Sequence, residues 1–373
     1  MASSDLVVTI PDARLSDWRA QAVALEHAVG QAIIGQERVL RLITLAVFAR
    51  GHVLLEGDVG VGKTTLLRAF ARGLGGAFER IEGSVDLMPN DLLYATYINA
   101  DGRPQVDPGP LLRHGSALCT FFFNEINRAR PQVQSLLLRA MAERSVTAFN
   151  REYRFPHLLV FADRNRVEKE ETFELASAAR DRFMLEVQIE TPASEKVRTA
   201  LIFEPIYHDT DALLARIPEG LLPYTELNAI GELIQRRISA SESLQRYARD
   251  LWEATRDPQR FGIRVDGVDM KRLILAGASP RAMSMLLRAA RVTAWLQDRE
   301  YLIPEDLQSV FQESIGHRVF FTPVYEMRRS EIIRVFLQEV LTRIADHPIN
   351  RIAELLPWKL EAAPMAEQAS TLK

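Results

Sequence analysis

His52-Val53-Leu54-Leu55-Glu56-Gly57-Asp58-Val59-Gly60-Val61-Gly62-Lys63-Thr64-Thr65-Leu66-Leu67 decides the fold of this 373-residue chain. Its opening five residues are an apolar run too short for a helix and followed at once by glycines, the pattern of a strand buried on both faces of a parallel sheet. Beyond the glycines, Leu66, Leu67, Phe70, Ala71 and Leu74 recur at helical spacing until Gly75-Gly76, which predicts an amphipathic helix. The connection matches G-x-x-x-x-G-K-[ST]. Gly57, Gly60 and Gly62 lack a Cβ, so the loop can curl and turn its peptide N–H groups toward an anion, with the positive end of the following helix aimed at the same place. Lys63 is expected to add a full charge at the β- and γ-phosphates of a nucleotide, and Thr64 a hydroxyl for Mg2+. The expected phosphate loop therefore comprises Gly57, Asp58, Val59, Gly60, Val61, Gly62, Lys63, Thr64 and Thr65.

Working outward, Ala77 to Ile81, Ala117 to Phe123, Leu158 to Ala162 and Phe183 to Ile189 repeat the buried-strand signature, and Pro131 to Glu143 reads as a helix with proline in its first position. Strand–helix alternation with right-handed crossovers predicts a three-layer α/β domain. Two hairpins interrupt it. Ala95 to Asn99 returns through Asp101-Gly102 to Arg103 to Val106, and Ser145 to Phe149 returns through Asn150-Arg151 to Glu152 to Phe155. Upstream, Ser16 is a candidate cap for a helix through Trp18, Leu25 and Val29, and a second helix follows Ile34-Gly35-Gln36.

From about residue 194 only helices are expected, among them one capped by Ser279 with Pro280 next, one from Pro304, and one from Ser330 to Ile344. The division that follows is a helical lead-in over 1–33, an α/β core over 34–192, an all-α lid over 193–321, and a last helix with a polar, frayed tail over 322–373.

Bulk properties exclude several classes. With 46 basic and 49 acidic residues the formal charge is −3, giving no footprint of constitutive nucleic-acid binding. A single cysteine, Cys119, excludes an internal disulfide framework. The chain opens without a basic-then-apolar leader, and no apolar run approaches the ~18 residues of a membrane span. A cytoplasmic protein is expected.

A nucleotide site needs acidic residues at the end of a second buried strand, where Mg2+ and the attacking water are held. Cys119-Thr120-Phe121-Phe122-Phe123-Asn124-Glu125 supplies that strand with one departure. Asn124 stands where aspartate is usual; a neutral amide can accept a hydrogen bond from a metal-bound water but cannot offset the metal's charge. Glu125 remains to orient and polarise the water.

Here a resemblance becomes specific. Glu125-Ile126-Asn127-Arg128-Ala129, Arg144 after Glu143, Asn165, and Asp181-Arg182-Phe183 together resemble the MoxR family of AAA+ ATPases, as do Ile34-Gly35-Gln36 and Gly277-Ala278-Ser279-Pro280-Arg281-Ala282. The likeness covers roughly residues 18–320. It implies that Gly35 and Gln36 hold the adenine, that Thr64 and Asn124 lie at the metal, and that Asn165 is sensor 1. It also implies that Arg182 is an arginine finger offered to a neighbouring subunit, and that Arg281 is sensor 2, reaching from the lid to the phosphates. The two hairpins match inserts that face the pore of a ring. Taken alone, Arg182 could instead be a surface ion pair with Asp181, Asp163 or Glu186.

The expected function is an ATP- and Mg2+-dependent, hexameric, chaperone-like machine that remodels a protein client or aids metal or cofactor insertion, beside a partner carrying a von Willebrand factor A domain. The rival is a nucleotide-binding scaffold or switch with little turnover, favoured by Asn124 and by Arg164-Asn165-Arg166 where the family often has Gln-Asn-Pro. A helicase-like or chelatase-like relative is a third reading.

Overall fold

The computed structural model describes residues 14–165 and 173–345. The expected polar tail from Glu361 to Lys373 and the altered Arg166 lie outside the described residues.

The strands in chain order are β1 His52–Gly57, β2 Ala77–Glu82, β3 Tyr94–Ile98, β4 Pro104–Pro108, β5 Leu118–Asn124, β6 Ser145–Ala148, β7 Arg151–Arg154, β8 Leu159–Arg164 and β9 Phe183–Ile189. Five of them form one parallel sheet in the order β2-β5-β8-β1-β9. Because β8 lies between β5 and β1, the C-terminal ends carrying Asn124, Asp163 and Gly57 are neighbours. The pairs β3–β4 and β6–β7 are the two antiparallel hairpins.

β5 shows why the sheet must be covered twice. Phe121, Phe122 and Phe123 are consecutive, hence point alternately to opposite faces, and all are fully buried. Phe122 packs with Phe161, Val53 and Leu55 against helices Leu15–Ala32, Glu37–Phe48 and Lys63–Leu74. Phe121 and Phe123 pack with Leu54, Val160 and Ala162 against helix Pro131–Glu143. Each buried phenylalanine is worth about 1.5–3 kcal/mol over leaving it in water.

Helices Leu227–Arg237, Glu242–Arg256, Pro280–Leu296, Pro304–Ile315 and Arg329–Ala345 follow the sheet and pack into the same core as the first-named layer. Trp18, Phe48 and Trp295 join the two parts, with ring centroids 6.3 Å and 5.0 Å apart in successive pairs. The helical part is fastened to the start of β9 by Arg318, which is 1% exposed and donates to Met184 O at 3.2 Å and Asp181 O at 3.1 Å. His317 Nε2–H donates to Phe183 O at 3.0 Å.

Three expectations differ in detail. The first helix begins at Leu15, which already packs on the core, so Arg14 rather than Ser16 occupies the cap position. The stretch after 194 is not purely helical: β10 Ile274–Ala276 pairs antiparallel with β11 Phe320–Phe321, elements too short for any periodicity to reveal. In the second hairpin the turn residues are Phe149 and Asn150, both at positive φ (50° and 56°), and Arg151 already belongs to the returning strand.

Candidate active site

β1 ends at Gly57, where a Cβ would stand 2.5 Å from Ile189 O; only glycine lets β1 close against β9. Gly60 and Gly62 have open space around them but adopt φ of 83° and 87°, so backbone conformation selects glycine there. Gly62 is the N-cap of helix Lys63–Leu74, whose first peptide N–H groups lack intrahelical acceptors and face the loop. Val59 is 74% exposed at the loop's crest. Thr64 and Thr65 follow, half-buried, in the first helical turn.

Lys63 is buried, and its Nζ donates to Gly57 O at 2.7 Å, Asn165 Oδ1 at 2.6 Å and Asp58 O at 3.4 Å. Asp163 Oδ2 stands 3.3 Å from the same ammonium. Asn165 faces the other way too, with Nδ2 donating to Glu125 Oε1 at 3.0 Å. The amide thus links the loop lysine to the glutamate, its oxygen on the cation and its nitrogen on the anion.

Glu125 is fixed more firmly than a residue that merely ends a strand. Its backbone sits at φ 53°, in the left-handed region, and its N–H donates to Asp163 Oδ1 at 2.5 Å. Its carbonyl oxygen lies so close to Gly83 that a Cβ there would approach to 2.1 Å. Arg128 Nη1 donates to Oε2 at 2.9 Å. Strain held in place by neighbours on every side is typical of functional positions. Burial pushes the Asp163 carboxyl above its ordinary range, while the Glu125 N–H and Lys63 pull it back. Asn124, on the last position of β5, donates from Nδ2 to Glu82 Oε1 at 2.7 Å.

Gly35 and Gln36 join this same end of the sheet. Gly35 has φ 73° and is pressed against Pro192, and Gln36 Nε2 donates to Glu190 O at 2.7 Å, just past the end of β9. Arg164, expected as a disturbance, is absorbed by ion pairs to Glu56 at 3.5 Å and Glu186 at 3.2 Å across the neighbouring strands.

Two expected site residues lie elsewhere. Gly57 pairs with Ile189, whereas His52, five residues back along β1, pairs with Phe183. Arg182 immediately precedes Phe183, so it lies about 17 Å from the loop end of the sheet at ~3.3 Å per strand residue. It pairs with none of the three acids weighed for it; Nη1 donates to Ala178 O at 2.8 Å. Arg281 Nη1 donates to Asp181 Oδ2 at 3.1 Å, and Ser279 Oγ to Asp181 Oδ1 at 3.0 Å. Arg281 therefore sits beside Arg182 rather than at the phosphate loop of its own chain. Both line a cavity of ≈250 Å³ with Arg50, Arg144 and Arg288. Burial and the Arg144 charge push Arg50 down to about 9.

Asp163, Glu82, Gly83 and the side-chain role of Arg128 escaped the sequence reading. An acid closing a buried apolar run, as in Phe161-Ala162-Asp163, was the available signal for the first of them.

A parallel sheet in this order, a glycine loop on the N-terminus of a helix, and a glutamate joined to the loop lysine through Asn165 define an AAA+ ATPase. The family model of ATPases associated with various cellular activities matches residues 52–185, and an AAA lid domain matches residues 270–335. Protein MoxR of Methylorubrum extorquens is 57% identical over 333 residues, 89% of this chain and 97% of that one. Chaperone MoxR1 of Mycobacterium tuberculosis is 32% identical over 94% of this chain and 89% of its own length. A candidate ATPase from Cytophaga hutchinsonii, solved by crystallography, superposes with a TM-score of 0.75 at 28% identity, over 88% of this chain and 96% of its own. The chain belongs to the MoxR family of AAA+ ATPases. It binds and hydrolyses ATP. Among the described residues no helix is long and apolar enough to cross a membrane.

Proposed function

We propose that this ATPase works as a closed ring, expected to be a hexamer, in which the arginine-bearing end of one subunit completes the phosphate-bearing end of the next. One observation carries the reading: Arg182 and Arg281 lie at the end of the sheet opposite to Lys63 and Glu125. A single subunit cannot bring them to its own nucleotide, whereas head-to-tail closure can. The roles follow by position. Gly57 to Thr65 cradle the phosphates, Glu125 orients the hydrolytic water, Asn165 couples Glu125 to Lys63, Gly35 and Gln36 border the base, and Arg182 and Arg281 serve the neighbour. In this reading 34–192 forms the nucleotide core and 193–321 the lid, with 1–33 and 322–373 flanking them.

Mg2+ fits this site as a companion of the nucleotide. Among the described residues no group of three or more His, Cys, Asp or Glu side chains could hold a metal unaided. Hard oxygen donors are nonetheless present at Thr64 and at Asp163, whose buried Oδ2 stands 3.3 Å from Lys63 Nζ at the phosphate loop. Mg2+ commonly binds in this way, through phosphates, waters and one or two protein oxygens, and it would supply charge neutralisation at the phosphates.

The work done is proposed to be remodelling of a protein client, in step with the chaperone name of the mycobacterial relative. A partner with a von Willebrand factor A domain and a role in metal or cofactor insertion are carried by the family resemblance.

Arg182→Ala tests the ring. The variant should bind ATP as the parent does, and added in increasing proportion it should lower phosphate release by mixed assemblies more steeply than simple dilution. An arginine finger is commonly worth about 10³–10⁵ in rate. Parent-like turnover by pure Arg182→Ala at saturating ATP would remove the head-to-tail reading.

A further inference from the structure

Asn124 lies in a row of three polar side chains that crosses three adjacent strands. Glu82 of β2 is in register with Asn124, and Phe123 is in register with Ala162 of β8, which places Asn124 and Asp163 one step further along both strands. In-register neighbours on parallel strands project to the same face. That face is the one covered by helix Lys63–Leu74, since Phe122 and Phe161, two residues earlier on each strand, pack against it.

The row alternates acid, amide, acid. The amide nitrogen of Asn124 is committed to Glu82 at 2.7 Å. An aspartate at 124 would instead set two carboxylates against each other at that distance and leave Glu82 Oε1 without its donor. Like charges so placed cannot both ionise cheaply. The neutral residue at 124 is therefore matched to Glu82.

The acid on the other side has an oxygen to offer. Asp163 is 1% exposed; Oδ1 accepts the Glu125 N–H, while Oδ2 is ion-paired with Lys63 Nζ at 3.3 Å. A buried carboxylate is costly unless a cation offsets its charge; Lys63 does so here, and Mg2+ or its hydration water can share the remaining lone pairs of the same oxygen. The oxygen also points to where Lys63 and the loop would meet phosphates.

We propose that Asp163 of β8, and not residue 124 of β5, is the carboxylate that faces Mg2+–nucleotide in this protein, with Asn124 serving as the neutral spacer between it and Glu82. The site then has its full complement of negative charge, moved one strand toward the phosphate loop. This rests on the reading of Gly57 to Thr65 as the nucleotide loop.

The test is calorimetric titration with the non-hydrolysable analogue AMP-PNP, once with Mg2+ and once with EDTA. The ratio of the two affinities is the metal's contribution and does not depend on turnover. Asp163→Asn should lower that ratio about tenfold or more, while EDTA affinity holds or tightens because Lys63 loses a competing anion. Adding Asn124→Asp to Asp163→Asn should not restore the ratio, because a carboxylate at 124 faces Glu82 rather than the phosphates; restoration would place the metal's carboxylate at 124 and overturn the proposal. Asp163→Glu keeps the charge beside Lys63 but displaces the oxygens by a methylene, and should also lower the ratio; it stands in if Asp163→Asn does not fold.

Were Asp163 only a counter-ion for Lys63, Asp163→Asn would shift both affinities together and Asp163→Glu would leave the ratio intact. Either result overturns the proposal. A rise in the ratio for Asn124→Asp in the otherwise unchanged chain overturns it as well, since the site would then have lacked a carboxylate. A parent that binds AMP-PNP in neither condition, or a Lys63→Ala variant that binds it as well as the parent, refutes the nucleotide loop itself, a different failure.

Discussion

The two ends of the central sheet solve opposite electrostatic problems. At the C-terminal end Lys63 and Glu125 find their partners within the subunit: Lys63 meets Asn165 at 2.6 Å and Asp163 at 3.3 Å, and Glu125 meets Asn165 at 3.0 Å and Arg128 at 2.9 Å. At the N-terminal end, Arg50, Arg144, Arg182, Arg281 and Arg288 surround one cavity, and among the described residues none lining it is acidic. Asp181 is the carboxylate nearby, and it is shared among Ser279, Arg281 and Arg318. Burial with mutual repulsion lowers the affinity of Arg50 and Arg144 for their protons, and burial lowers that of Arg288. Both Nη atoms of Arg50 are buried without a hydrogen-bond acceptor. One end is self-sufficient; the other is a cation cluster, whose complement under the proposed ring is the nucleotide of the neighbouring subunit.

Breaking the self-sufficient end should have the largest effect. Glu125→Gln keeps the shape and the contact to Asn165 but removes the charge proposed to polarise water. Phosphate release should fall by about 10²–10⁴-fold, the usual worth of a general base, while ATP remains bound. Steady-state phosphate assays and a filter measurement of retained nucleotide check the two halves. Substantial turnover would place the base elsewhere in the cluster.

Lys63→Ala probes the same end through binding. It removes a charge-assisted contact in a buried setting, and ATP affinity should weaken by at least about 2 kcal/mol, or about 30-fold. Calorimetry on the folded variant decides, and an unchanged affinity would dissolve the contrast between the two ends.

The difference between the ends also explains what could be read from sequence. The loop was legible because phosphate binding demands glycines at fixed spacing between a strand and a helix, and Gly57, Gly60 and Gly62 are glycine for two separable reasons visible in the backbone. The five sheet strands were legible as short apolar runs with the hairpins between them. Asp163 was not, since an acid closing a strand looks like any solvated strand end until the register with Asn124 and the distance to Lys63 are known. Arg281 was expected to reach the phosphates from the lid, whereas within its own subunit it pairs with Asp181. What sequence could not supply was the docking of that helix on the start of β9, which depends on the buried contacts of Arg318 and His317 rather than on any local pattern.

Arg281 gives the smallest expected effect and the sharpest separation of the two ends. Its side chain is 55% exposed and its pair with Asp181 is a surface ion pair, a kind commonly worth about 0–1 kcal/mol. The guanidinium can therefore exchange Asp181 for a more strongly charged phosphate at little cost. If it does so across a subunit interface, Arg281→Ala should leave the variant's own ATP affinity within about twofold of the parent, since that site lies some 17 Å away at ~3.3 Å per strand residue. Turnover of the assembled protein should fall about tenfold, the worth of one charge-assisted contact of about 1.4 kcal/mol. Complementation makes the geometry decisive. Lys63→Ala subunits keep their arginines but lose their phosphate loop, and Arg281→Ala subunits do the reverse. Mixed, they should regain turnover where an intact arginine end meets an intact phosphate end, and phosphate release should exceed the sum of the two separate preparations. If Arg281 served its own nucleotide, no subunit in the mixture would be complete and no gain could appear; a mixture that merely averages its components would return Arg281 to its own chain and leave the two ends of the sheet uncoupled.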